Sequence, residues 1–185
     1  MLEEILSEAK NKMTASINSF KNYLSSVRTG RASTGLVETI RVDYFGTEMA
    51  LNQLAQINLG DSRMIIIQPW DKNSVEVIAK SIQNSDLNIA PNIDGDIIRL
   101  NVPPLTEETR KEIVKLVKSK SEDSKISIRN IRRSAQEDIR DIEKKGESSQ
   151  DDCRRAQTSL EKLTSEFIDN IDQESNNKEI EIMQV

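Results

Sequence analysis

From Thr106 to Lys145 the chain reads TEETRKEIVKLVKSKSEDSKISIRNIRRSAQEDIRDIEKK. Ile113, Val117, Ser121, Ser124, Ile128, Ile131, Ala135, Ile139 and Ile142 recur at three- and four-residue spacing, which predicts one narrow apolar stripe on a long helix. Thr106 offers a hydroxyl cap, and Glu107 and Glu108 fill the first turn, where the positive end of the helix dipole favours acids. Gly146 is the expected stop. A single stripe on so long a helix must be covered by something else, and the fold depends on what covers it.

Two other segments carry matching stripes. Leu6, Ala9, Met13, Ile17, Phe20, Leu24 and Val27 mark a first helix to about Thr29, with Gly30 ending it. Cys153, Ala156, Leu160, Leu163, Phe167 and Ile171 mark a third, capped at Ser148 or Ser149. The tail after Glu174 either prolongs that helix or frays. Three one-stripe helices bury one another, so residues 1–29 and 106–185 read as a three-helix bundle. Between them the period changes. Ile40, Val42 and Tyr44 alternate before a turn at Phe45-Gly46-Thr47, and Met64–Gln68 is a buried-strand run after the turn LGDS. Asn73 and Glu76 read as a capping box for a helix to about Gln83, and NIDGDIIRLNV gives a turn and a final strand before Pro103-Pro104. Residues 30–105 are thus a small α+β insert, and the fold class is α+β.

Composition removes several functions. The chain of 185 residues has no histidine, which excludes His-based catalysis and His-ligated metals. Its one cysteine, Cys153, permits no internal disulfide or thiolate cluster and, on the apolar stripe, reads as a small buried hydrophobe. Trp70 reads as a packing anchor of the insert. The acids of NIDGD lack the further oxygen ligands of a calcium loop, so a hairpin turn is expected there. No acid pair sits in a catalytic setting, so no enzyme, cofactor or metal site is expected. The N-terminus lacks the apolar core of a signal peptide and no segment has the roughly 18 apolar residues of a membrane span, so a cytoplasmic protein is expected.

Charge is sorted along the chain. Residues 110–133 hold nine bases against three acids, whereas 147–181 hold ten acids and four bases, in a protein of net charge −5. At about 100° per residue, Lys111, Lys115, Lys118, Lys125, Arg132, Arg133 and Arg140 fall within roughly 60° of Arg129, away from the apolar stripe. Such a row suits a polyanion, and arginine grips phosphate bidentately. Without an aromatic platform or zinc-finger spacing, folded RNA read through its backbone fits better than DNA. The alternative is a solvated face offset by the acidic third helix.

VRTGRAS (27–33), LNQLAQI (51–57), IIQPWDKNSVEVI (66–78), NIDGDIIRLNVPPLTEETRKE (92–112) and IRNIRR (128–133) together resemble the bacterial-type ribosome recycling factors, over nearly the whole chain. The resemblance implies a three-helix domain carrying an inserted β/α/β domain, in an L shaped like tRNA. It implies binding to the large subunit of the post-termination ribosome, near the central intersubunit bridge. Elongation factor G with GTP would then split the subunits, freeing mRNA and tRNA. The RNA-facing residues it implies are Arg28 and Arg31 at the corner and Arg129, Arg132 and Arg133 on the long helix, with Arg110 and Asn130 secondary. The insert would contact elongation factor G. Ser134 stands where the family usually carries an acid, and Thr34 where a proline is common.

The insert joins the bundle through Thr29-Gly30-Arg31 and Val102-Pro103-Pro104-Leu105, which read as a hinge of two short crossings. A monomer is expected. A second reading is an acidic helical adaptor resembling a nucleotide-exchange co-chaperone, which would dimerise along its helices and bind its partner without salt dependence.

Overall fold

The computed structural model describes residues 1–184, so the expected end of the bundle at residue 185 lies outside the described residues. In chain order the elements are α1 (Leu2–Ser26), β1 (Arg41–Tyr44), β2 (Thr47–Ala50), the one-turn α2 (Leu51–Leu54), β3 (Ala55–Asp61), β4 (Met64–Pro69), α3 (Val75–Gln83), β5 (Pro91–Asp94), β6 (Ile97–Asn101), α4 (Glu107–Lys145) and α5 (Gln150–Met183). Short 3-10 turns occupy Thr34–Leu36 and Lys72–Ser74. No helix among the described residues is long and apolar enough to cross a membrane.

One compact unit comprises Met1–Leu24 and Val114–Ile180. It buries Ala9, Met13, Ile17 and Phe20 of α1, Val117, Ile128, Ala135 and Ile139 of α4, and Cys153, Ala156, Leu160 and Ile171 of α5. Each large side chain buried here contributes about 1.5–3 kcal/mol. Small Ser121 and Ser124 are buried on the same stripe, and the hydroxyl of Ser124 is satisfied by the Lys120 carbonyl at 2.9 Å. The α4 stop is a complete Schellman motif. Gly146 has φ +68°, its N–H donates to Glu143 O at 3.1 Å, and Glu147 N–H donates to Ile142 O at 3.2 Å. Ser149 is the α5 cap, accepting from Asp152 N–H at 3.1 Å. The tail prolongs α5 rather than fraying, with Ser175 and Ile182 buried.

The second unit comprises Ser25–Ile113 with a short stretch from Glu181. Its four-stranded sheet has the order β3-β4-β6-β5, antiparallel throughout. Ile65 pairs with Leu100 and Ile67 with Ile98, and these four share one core with Val75, Ile78 and Ile82 of α3. A separate two-stranded hairpin, β1–β2, adds Val42 to that core.

Several expectations are corrected. Helix α1 ends at Ser26, not Thr29, because Thr29 and Gly30 are already buried in the turn leading into the insert. Asn73 does not cap α3. Asp71 does the capping, accepting from Asn73 N–H at 2.9 Å ahead of a 3-10 turn that leads into the helix. Strand β3 is an element the alternation did not show, and NIDGD is itself half strand, with the turn at Gly95 (φ +61°). Trp70 is no packing anchor: it is 68% exposed.

Candidate nucleic-acid interface

Helix α4 presents the basic row as an exposed line, with two exceptions. Lys111, Lys115, Lys118, Arg129, Arg133 and Arg140 are exposed, as is Asn130. Arg132 is half-buried, with its Nε enclosed and without a protein partner. Lys125 keeps only 17% of its side chain exposed. Long basic side chains lay their stems on neighbouring helices while the charged head seeks a partner. Here the partners are acids of α5: Lys125 Nζ lies 2.5 Å from Asp172, and Lys118 Nζ lies 3.4 Å from Glu179. On α1, Lys21 pairs with Glu174 of α5 at 3.1 Å. Lys120 sits 5.7 Å above the Tyr23 ring.

The sorted charges therefore serve two purposes. Lys118 and Lys125 of the row knit α4 to the acidic helix, while Arg133 and Arg140 are exposed. Arg129 is exposed but engaged, its Nη1 donating to Glu122 Oε1 at 2.8 Å. That hydrogen bond holds the Glu122 carboxyl below its ordinary value, against a smaller upward push from burial. Ser134 is exposed and borders a shallow groove between α1 and α4 with Lys12 and Asp138.

The other candidate arginines lie in the second unit. Arg28 is half-buried, its Nη1 donating to Leu87 O at 3.3 Å, and its Nε is enclosed without a partner. Arg110 is half-buried in the first turn of α4, also with an enclosed, unpartnered Nε. Arg31 is exposed and borders an open cleft of about 560 Å³ together with Asp61 and Arg63. Sequence reasoning grouped these residues by function. The structure shows that each meets a different local environment.

The two expected hinge crossings have defined tethers within this unit. Ala32 N–H donates to Ser62 O and Val102 N–H to Arg63 O, both at 2.8 Å, so consecutive residues of the β3–β4 turn hold both crossings. Gly30 has φ +81°, and a Cβ there would stand 3.6 Å from Leu105 N, so the crossings run side by side. Thr29, Val102 and Leu105 are buried, whereas Pro103 and Pro104 are exposed.

The family model for Ribosome recycling factor matches residues 20–183. The ribosome-recycling factor of Bacillus licheniformis is 43% identical over 185 residues, covering 100% of both chains, and that of Dehalococcoides mccartyi strain CBDB1 is 46% identical with the same coverage. A solution structure of a ribosome recycling factor superposes with a TM-score of 0.79 at 41% identity, covering 100% of this chain and 98% of that one. Structural models of the T. thermophilus ribosome recycling factor and E. coli elongation factor G bound to the E. coli post-termination complex include a chain that matches with a TM-score of 0.69 at 38% identity, covering 99% of each. With three buried helical stripes, an inserted antiparallel sheet and full-length identity of this order, the chain belongs to the ribosome recycling factor family.

Proposed function

We propose that this chain recycles ribosomes in the cytoplasm, acting as a monomer. It binds the large subunit of the post-termination ribosome near the central intersubunit bridge and, with elongation factor G and GTP, splits the ribosome into subunits, so that mRNA and tRNA are freed for new initiation. The observation that carries this reading is the extent of the likeness: relatives named for recycling match at 43–46% identity across 100% of this chain and 100% of their own. The reading is also supported by the exposed arginines of α4, whose long-range field favours a polyanion.

In this reading the bundle, residues 1–29 and 106–185, grips ribosomal RNA through Arg129, Arg132 and Arg133 with Asn130 beside them on α4, and Arg28, Arg31 and Arg110 make further contacts to the RNA. The insert, residues 30–105, meets elongation factor G. Thr29, Gly30 and Arg31 with Val102, Pro103, Pro104 and Leu105 transmit the push between them. Nothing in this role requires bond-making by the chain's own side chains. Light scattering of post-termination ribosomes tests the proposal. Scattering should fall only when the chain, elongation factor G and GTP are all present; no fall beyond that given by elongation factor G and GTP alone would reject it.

A further inference from the structure

Glu122 and Arg129 are seven residues apart, close to two full helical turns, so they lie on one line along α4. The Nη1–Oε1 distance is 2.8 Å, and the two side chains are 44% and 51% exposed. The second carboxylate oxygen of Glu122 stands 3.7 Å from Lys125 Nζ, while Lys125 has a closer partner in Asp172. Glu122 is thus the acid that enters the basic row, and it is aimed at the arginine in the middle of it.

A carboxylate oxygen receiving a guanidinium N–H occupies the place that a phosphate oxygen takes in a nucleic-acid complex. We propose that Glu122 is a built-in competitor for Arg129: it holds Nη1 of the guanidinium in the free chain, and an RNA phosphate that takes Arg129 through that nitrogen displaces it. This rests on reading the row as the ribosomal RNA grip. Exposed pairs of this kind are weak, so the clamp is easily exchanged, but every complex formed through Arg129 bears its cost. Glu122 is charged at neutral pH, as an ordinary carboxyl is, and the bond from Arg129 lowers its pKa further. Its repulsion of phosphate therefore acts together with its hold on the arginine.

The test is a double-mutant cycle in which purified large ribosomal subunits are titrated with the unsubstituted chain, Glu122→Gln, Arg129→Ala and the double variant, at low and raised salt. Glu122→Gln should tighten binding by about two- to fivefold at low salt, the range set by the strength of an exposed ion pair. The gain should shrink as salt screens the pair, and it should vanish when Arg129 is already alanine. Unchanged or weakened binding by Glu122→Gln, in a chain that itself binds and depends on Arg129, would overturn the inference alone. An equal gain with and without Arg129 would also overturn it, because the carboxylate would then act only as bulk charge. Failure of the unsubstituted chain to bind large subunits would overturn the recycling reading and the inference with it.

Discussion

Lys125 Nζ lies 2.5 Å from Asp172 Oδ1, joining the basic face of α4 to the acidic helix α5. With 17% of the lysine side chain exposed against 48% of the aspartate, the ammonium is the more enclosed partner. Removing the carboxylate leaves that charge with Glu122 alone, at 3.7 Å. Asp172→Asn should therefore lower stability by about 1 kcal/mol, above a typical surface pair and below a buried one. Urea unfolding measures it, and an unchanged midpoint would show that the pair contributes nothing.

Phe45 and Gly46 form the two-residue turn between β1 and β2, with φ of +51° and +81°. That geometry favours Asn-Gly, and a bulky side chain in the left-handed region is strained. Phe45 is 85% exposed, so its ring recovers little of the cost, touching Tyr44 edge-on at 4.7 Å. Phe45→Asn should raise stability by about 0.5–1 kcal/mol. Thermal unfolding checks the sign, and a lower Tm would mean that the ring contact outweighs the strain.

Tyr44 donates its hydroxyl to Asp71 Oδ2 at 3.0 Å, tying that hairpin to the loop before α3. Asp71 is held below its ordinary range, first by the Asn73 N–H and then by the tyrosine. Tyr44 is pushed above its own ordinary range, first by the bond to Asp71. The depressed carboxyl stabilises above its unfolded pKa, and that contribution is lost as pH falls through its folded value. The raised phenol stabilises below its unfolded pKa and loses that contribution as pH rises through its folded value. Tyr44→Phe should thus flatten the alkaline decline in stability while leaving most of the acid decline. Denaturant midpoints across both ranges would show this, and an unaltered alkaline limb would remove the tie from the account.

Gly30→Ala places a Cβ at φ +81° beside Leu105. The space at 3.6 Å is sufficient, so the cost is backbone strain, about 1–2 kcal/mol. Equilibrium unfolding should register that loss; a neutral substitution would show that the turn relaxes freely.

How much of this was legible follows from the length scale of each feature. The stripes of α1, α4 and α5 repeat over many turns, so Phe20, Ile128 and Leu160 could be placed inside from spacing alone. Strand β3 gave too polar a pattern, since its exposed Gln56 and Asn58 alternate with only Ala55 and half-buried Ile57, and the rest of the strand is exposed. The Asp71 cap was hidden because a 3-10 turn separates it from α3. Trp70 misled because residue type suggested burial where position in a loop decided exposure. The basic row was visible in phase, but its lysine partners Asp172 and Glu179 lie on another helix, roughly fifty or more residues away in sequence. The intrahelical partners, Glu122 beside Arg129 and Glu107 beside Lys111, were within reach of a one-helix argument.

The central claim is that the arginines of α4 hold ribosomal RNA by its phosphates, and sedimentation with purified large subunits over a salt series tests it most directly. The account predicts that affinity falls steeply and linearly in the logarithm of salt concentration, as displaced counterions require. It also predicts that Arg129→Ala and Arg132→Ala each weaken binding by about 1–3 kcal/mol and reduce the salt slope, with little change in Tm. Salt-independent binding that survives both substitutions unchanged would contradict it.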